Sequence, residues 1–388
     1  MKTSIAVCGT GIAGLACALA LARRGQQALL LGPRPTLRPA DPETYHPRVY
    51  AISLASQRLL ASLGAWDLMP PARLARVEAM EIRGDAGGRL NLSAWQSAQQ
   101  ELAWIVESGE IERALIQACQ VMGIPWVAEK FSSLEPGVLV TDHGTRIEAD
   151  LMIAADGAQS SLRAAAGLAA DVRPYGVTGL VAHFTCALPH QGVALQWFRA
   201  DGVLALLPMP DTRDGSQVSM VWSIKEPLAD ELLAMPPEAL AAELALRLAD
   251  ATEGRLGALT LRSPLHGFPL TLSQTPMIGP RIALVGDAAH RLHPLAGQGL
   301  NLGLGDVQAL AEIVGTREPF LSAGDPLVLR RYRRARAEPV LGMRLVTDGL
   351  QRLFDVQATP VAWLRNIGLD LVERLPCVKR PLIDGASR

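Results

Sequence analysis

The chain has 388 residues, 49% of them hydrophobic and 19% charged, with 35 glycines and 27 prolines spread along it; this composition fits an ordered protein of more than one core and excludes a disordered or low-complexity polymer. A formal net charge of −1 provides no field to gather nucleic acid, and basic residues cluster mainly near 330–336 and at Lys379 and Arg380. Five cysteines, Cys8, Cys17, Cys119, Cys186 and Cys377, are odd in number, far apart and without metal-type spacing, which fits core packing in a reducing, cytoplasmic compartment.

In chain order, residues 4–8 predict a fully buried parallel strand, 12–24 a helix with small residues on its packing face, and 27–31 the next strand, together a βαβ unit. Residues 5–22 run without a charge behind Lys2, as a signal peptide or membrane span would. Gly9, Gly11 and Gly14 argue against both, because they weaken a hydrophobic helix and suit a strand that turns sharply into a buried one. Residues 55–63 and 111–122 then read as helices, and 138–141 and 151–154 as short strands. From 178 to 224 the pattern changes to β-rich runs at 179–185, 193–198, 203–207 and 218–224, separated by Pro, Gly and Asp turns. An amphipathic helix at 237–250 and a buried strand at 281–285 follow, then helices at 309–314, at 328–353 with an interruption at Pro339, and at 360–375. The expected fold is α/β: a Rossmann-like dinucleotide-binding domain begun over 1–170 with inserted strands, a β-sheet-rich substrate domain over 171–275, and a return to the first domain with C-terminal helices over 276–388.

Gly9-Thr10-Gly11-Ile12-Ala13-Gly14 satisfies the dinucleotide fingerprint, whose glycines permit a tight turn and close approach of a pyrophosphate to a helix N-terminus. Such a fingerprint ordinarily has an acid at the end of the second strand to hold the adenosine ribose, but Gly32 stands there, and Arg34 offers another anchor for the adenosine half. A second segment, Gly286-Asp287-Ala288-Ala289-His290, continues through His293-Pro294 to Gly297-Gln298-Gly299-Leu300-Asn301. It follows a buried strand and opens a helix, so Asp287 is placed to accept hydrogen bonds from a polyol, while backbone amides in the glycine-rich turn reach a flat ring.

Gly286 to Asn301 resembles the GD motif of the group A flavoprotein monooxygenases, the para-hydroxybenzoate hydroxylase-like superfamily. Ala155-Asp156-Gly157, with Ser160, Ser161 and Arg163, resembles their DG motif, and the three motifs stand in the family's order. A narrower resemblance, to the ubiquinone-biosynthesis hydroxylases, is carried by Arg48-Val49-Tyr50-Ala51-Ile52-Ser53, Phe268-Pro269-Leu270, His293 to Leu304, Tyr332 to Arg336 and Leu364 to Leu369. The resemblance implies bound FAD, NAD(P)H as co-substrate, and hydroxylation of the ring of a polyprenylated phenol. It implies that Asp156 and Gly157 contact flavin and nicotinamide, that Arg48 lies near the flavin, and that Asn301 and the amides around Gly299 face its pyrimidine edge. It also implies an enzyme that collects a lipid-tailed substrate from the inner face of a membrane, by peripheral contact or within a biosynthetic complex. The chain departs from the family pattern at Ser108, Glu112, Arg291 and Gly305; Glu112 would repel a pyrophosphate unless paired with Arg113 or Arg48.

Other chemistries are weaker. His290 and His293 lack further ligands at metal-like spacing and read as hydrogen-bonded residues shaping the turn. No Gly-x-Ser-x-Gly elbow or P-loop is present. The Arg-rich run at 329–336 reads as a solvated helix face, with docking to an anionic surface as the minority view. A related hydroxylase of a soluble phenol or secondary metabolite and a non-catalytic flavin-binding subunit stay open, and the residues single out no catalytic base.

Overall fold

The strands that lead into the sequence motifs lie side by side. In the computed structural model, which describes residues 1–36, 41, 43–85, 87–199, 201–291 and 299–355, the latter with side chains to 345, Lys2–Cys8 is flanked by Arg146–Ala154 and Ala28–Leu31, and Ile282–Leu284 lies beyond Arg146–Ala154. All four run parallel, with Cys8 registered against both Ala154 and Leu31, and Ala154 against Leu284. Residues 5–8 and 151–154 and the whole of Ala28–Leu31 and Ile282–Leu284 are buried, as a parallel sheet covered on both faces requires, which is why these stretches read as unbroken apolar runs. Helices Ile12–Ala22, Ser108–Met122 and Gly299–Gly315 pack into the same core.

The β-rich part is a nine-stranded sheet ordered around Asp171–Cys186, Gly215–Lys225, Gly202–Thr212 and Val193–Arg199. Its strands alternate cleanly. Leu180, Phe184, Leu206, Met220 and Trp222 face the helices Glu226–Ala234 and Pro237–Thr252, while Val181, Ala205 and Val221, between them in sequence, face a cavity. The sheet also takes Ala79–Arg83, parallel to Val193–Arg199, and Arg89–Ser93, so it draws on chain from within the first 170 residues. Those strands, and Val49–Ser53, Leu74–Val77, Ala103–Glu107 and His266–Gln274, were not evident from periodicity; Ala79–Arg83 is half-buried throughout and His266–Gln274 contains Pro269, so neither shows a two-residue rhythm.

Two expectations need correction. The last helix runs unbroken from Pro326 to Asp355 with Pro339 inside it, because the turns before the proline are anchored by buried Val328, Leu329 and Tyr332. The Arg-rich run is solvated at Arg330, Arg331, Arg333 and Arg334 but not at Arg336, which is buried. The predicted helix at 360–375, Cys377 and the basic pair Lys379 and Arg380 lie outside the described residues. The other four cysteines are buried, and burial pushes the Cys17, Cys119 and Cys186 thiols up to about 12, so they pack rather than react. Among the described residues no helix is long and apolar enough to cross a membrane.

The nine-stranded sheet is stitched at the segment before Arg48 to a three-stranded sheet of Val49–Ser53, Ala103–Glu107 and Leu74–Val77. Tyr45 donates its hydroxyl to the Pro210 carbonyl, the His46 amide donates to Glu107 at 2.5 Å, and the buried His183 imidazole donates from Nε2 to the His46 carbonyl at 3.1 Å. Burial depresses the His183 pKa from 6.5 to about 4, so the ring is neutral in the fold. An unfolded chain takes up a proton on this histidine below about pH 6.5 and the folded chain does not, so the stability His183 contributes is present above that pH and is lost as pH falls toward 4. Between about pH 7.5 and about pH 5 the loss should be about 2 kcal/mol. Urea midpoints for the wild type and His183→Gln are expected to fall less with acidification in the variant; equal falls would contradict a neutral buried imidazole.

Candidate functional site

Because the four parallel strands end in register, the turns that follow them share one edge: Gly9 to Gly14, Gly32, Ala155-Asp156-Gly157 and Gly286-Asp287. This is the carboxyl edge of a doubly wound sheet, where such folds place their ligands. A cavity of about 400 Å³ opens there and extends to the inner face of the β-rich sheet. Gly11, Ile12, Ala13, Arg48, Gly157, Gly286, Asp287, Gly299 and Leu300 line its first end.

The glycines in the fingerprint do different work. A Cβ on Gly9 would lie 2.3 Å from the Ala155 carbonyl oxygen, and one on Gly14 would lie 2.0 Å from that of Gly9, so both are spent on closing turn against turn. A Cβ on Gly11 would meet nothing within 4 Å, which leaves the backbone there open to a ligand. The helix Ile12–Ala22 begins at Gly11 with no side-chain cap and no acid in its first turn, so its leading N–H groups are available to an anion. Gly32, with φ +146°, explains the missing ribose acid: a Cβ there would press within 2.9 Å of the Thr10 methyl, and Thr10 is itself held by donating to the Pro33 carbonyl at 2.7 Å.

The second turn is held by a carboxylate that sequence reading passed over. Asp306, fully buried in helix Gly299–Gly315, accepts from the Gly286 amide at 3.0 Å and lies 2.7 Å from His290 Nε2 through one oxygen, and accepts from Arg336 Nε at 2.7 Å through the other. Arg336 also donates to the Leu302 carbonyl at 3.0 Å, and Tyr332 donates to the Leu284 carbonyl at 2.8 Å. The last helix thus grips both the strand before the turn and the helix after it. His290 does shape the turn, as expected. Gly305, a departure from the family pattern, leaves room for the guanidinium: a Cβ there would lie 3.1 Å from Arg336.

The remaining predicted residues are placed as follows. Asp287 is half-exposed at the cavity, 3.9 Å from Arg291, which donates to Thr271 at 2.7 Å. Asp156 accepts from the Leu162 amide through one oxygen, and its other oxygen is buried without a partner among the described residues. Arg163 ties this turn to the next by donating to the Ala288 carbonyl at 3.0 Å. Arg48 lies 5.3 Å from the Phe268 ring and 5.9 Å from the Tyr50 ring at the cavity wall. Glu112 also lines the cavity; burial raises its carboxyl above the ordinary range against the pull of Arg48, while Arg113 is engaged with Glu110. The Asn301 side chain bridges strand Val49–Ser53, accepting from the Ser53 amide at 3.0 Å and donating to the Ala51 carbonyl at 2.8 Å, so that it fixes the start of its helix against that strand. Arg34 is exposed, 4.7 Å over the Trp126 ring, beyond the cavity lining. Pro294 and Gly297 lie outside the described residues, as does His293.

These features fit a bound dinucleotide with a redox ring: open backbone at Gly11, two helix N-termini without acids in their first turns, an unpartnered Asp156 oxygen, and a half-exposed Asp287 for a polyol. The lock on the second turn is testable without a ligand. Asp306→Ala leaves the buried Arg336 without its counter-ion and His290 Nε2 and the Gly286 amide without their acceptor, and should cost about 3–5 kcal/mol, whereas Asp287→Ala, which removes a long surface pair, should cost less than about 1 kcal/mol. Similar urea midpoints for the two variants would contradict this.

Comparison with known proteins agrees with the geometry. The FAD binding domain family model matches residues 2–340. The chain is similar to the ubiquinone hydroxylase UbiL of Rhodospirillum rubrum, at 33% identity covering 97% of this chain and 87% of that protein, and to 3-demethoxyubiquinol 3-hydroxylase of Escherichia coli, at 32% identity covering 97% and 96%. Its fold matches that of Klebsiella pneumoniae HpxO complexed with FAD and uric acid, with a TM-score of 0.75 at 18% identity over 99% of this chain and 96% of that one. The chain belongs to the FAD-binding family of flavin-dependent monooxygenases, in the branch of the ubiquinone-biosynthesis hydroxylases.

Proposed function

We propose that the protein hydroxylates the aromatic ring of a polyprenylated phenol in ubiquinone biosynthesis, using FAD, NAD(P)H and molecular oxygen. The observation that carries this reading is a cavity with two chemically distinct ends: glycine turns and helix N-termini at one, and at the other an aliphatic chamber walled by Val77, Met80, Ile105, Val203 and Leu207. An apolar ring with an isoprenoid tail suits the second end, and the first suits a diphosphate-bearing cofactor. FAD, when bound, supplies the redox and oxygen chemistry that no side chain in the cavity can supply.

In this reading Gly9 and Gly14 close the fingerprint turn, and Gly11, Ile12 and Ala13 present backbone to the pyrophosphate. Arg34 flanks the adenosine half. Asp287 accepts from the ribityl hydroxyls, with Gly286 permitting the turn, and Asp156 and Gly157 meet the cofactor between its two halves. Arg48 stands at the flavin, and Pro294, Gly297, Gly299, Leu300 and the Asn301 backbone frame its ring. The chamber's aliphatic walls exclude water from the reacting atoms, which protects the hydroxylation from unproductive release of peroxide. A lipid-tailed substrate further implies a peripheral station at the inner face of the membrane or within a biosynthetic complex; Leu341 and Leu345, exposed and four residues apart beside Arg344 on the last helix, support it.

Purified protein given FAD, NAD(P)H and a polyprenylated phenol should consume NAD(P)H only when the phenol is present and yield a product heavier by one oxygen atom. Asp287→Ala should weaken FAD binding by about tenfold or more, as expected for losing hydrogen bonds to a charged group. NAD(P)H consumption with no hydroxylated product, or a soluble phenol converted as fast as the lipid-tailed one, would overturn the reading.

A further inference from the structure

On strands Val193–Arg199, Gly202–Thr212 and Gly215–Lys225 the chamber face is aliphatic except at two positions. Gln196 on Val193–Arg199 and Ser223 on Gly215–Lys225 both line the cavity, each 7% exposed. No hydrogen bond joins either side chain to another described residue, and neither holds a sealed, unpartnered polar atom of the kind found at Ser219 and Trp222, so both keep access to the cavity. An amide and a hydroxyl in an otherwise aliphatic wall give up most of their water. Aliphatic side chains would fit the surrounding face better, so the two polar groups suit a partner that enters the cavity.

Their placement defines its shape. Strand Gly202–Thr212 lies between the two, with Gln196 registered against Ala205 and Ser223 against Val203. Two strand spacings across and two residues along put their Cα atoms about 12 Å apart. The floor between them is made of the short side chains of Ala205 and Val203, with Val221 beside it. An aromatic ring lying on that floor with oxygens on two non-adjacent carbons spans roughly 5 Å from oxygen to oxygen, and two hydrogen bonds of about 2.8 Å bring the span to about 11 Å. The amide can donate or accept, and the hydroxyl can do either.

We infer that Gln196 and Ser223 are the substrate-positioning pair, a two-point clamp that selects an aromatic ring carrying two separated oxygen substituents and fixes which ring carbon faces the first end of the cavity. The inference rests on reading this cavity as the hydroxylation site. It deepens that reading by naming the ring's substitution pattern, and both residues act by orientation, not by proton transfer.

The test reads binding without turnover. Oxidised, FAD-loaded protein without NAD(P)H is titrated with three short-chain prenylated probes, a methoxyphenol with its oxygens on non-adjacent carbons, the phenol without the methoxy group, and the benzene without either oxygen, and binding is followed by perturbation of the flavin absorbance. The wild type should bind the methoxyphenol at least about tenfold more tightly than the benzene, Gln196→Leu and Ser223→Ala should each remove a part of that preference, and the double variant should abolish it with the benzene's affinity unchanged. FAD content and unfolding midpoints should stay level or rise, because unpaired polar groups are removed. A preference that survives in the double variant, or a parallel loss for all three probes, would overturn the clamp; so would a wild type that binds the three alike, whatever the variants do. Because no hydroxylation is measured, failure of the clamp is distinguishable from failure of the proposed reaction.

Discussion

A carboxylate with no access to solvent is costly to bury unless both of its oxygens are met. Asp306 is met by a backbone amide, an imidazole and a guanidinium contributed by three different elements. That need ties the turn after strand Ile282–Leu284 to the helix that follows it and to the long last helix, and so fixes where Gly286 and Asp287 stand. Asp287 faces the cavity half-exposed, with only a long pair to Arg291. Its position is inherited from this buried centre, of which Gly286 and His290 line the cavity and Asp306 and Arg336 do not.

Small residues complete what the charges begin. A Cβ on Gly303 would sit 3.0 Å from the Gly286 Cα, and one on Gly286 would sit 3.2 Å from the Ala13 Cβ, so the second turn nests between the two helices that open onto the site. Close approach brings both N-termini to one cavity, and their aligned dipoles favour negative charge there. Arg48 adds a full positive charge on the opposite wall. Glu112 opposes it, but burial makes its charged form less favourable. The net result is a site biased toward an anionic cofactor in a chain whose overall charge is nearly neutral.

Much of this was legible in the residues, and the reason differs by element. The first strand, the helix after it and the strand at 281–285 show as unbroken apolar runs because both faces of a parallel sheet are covered. The first glycine turn shows because only glycine tolerates carbonyl oxygens within 2.3 Å of where a Cβ would stand, and the other two because Gly157 and Gly286 take φ of +84° and +61°. Asp306 and Arg336 did not show, since a buried charge and a solvated one are the same letter, and Arg336 sits in a run of arginines. Helical phase was the available signal: Val328, Tyr332 and Arg336 recur at four-residue spacing on the buried stripe, as do Leu302, Asp306 and Leu310. The strands at 79–83 and 266–274 were hidden because pairing with distant chain, not local alternation, makes them strands. The Asn301 side chain also escaped local reading, since its partners lie some 250 residues away in sequence.

The central claim is that turns brought together on one sheet edge hold a dinucleotide whose redox end reaches the β-rich chamber. A crystal structure of the protein with FAD tests it most directly. The diphosphate should lie within hydrogen-bonding distance of the amides of Ile12 and Ala13, the ribityl hydroxyls on Asp287, and the flavin ring between Gly299 and the sheet bearing Val181 and Ala205. Cofactor density elsewhere on the molecule, or a ring turned away from the chamber with Asp287 in water, would contradict it.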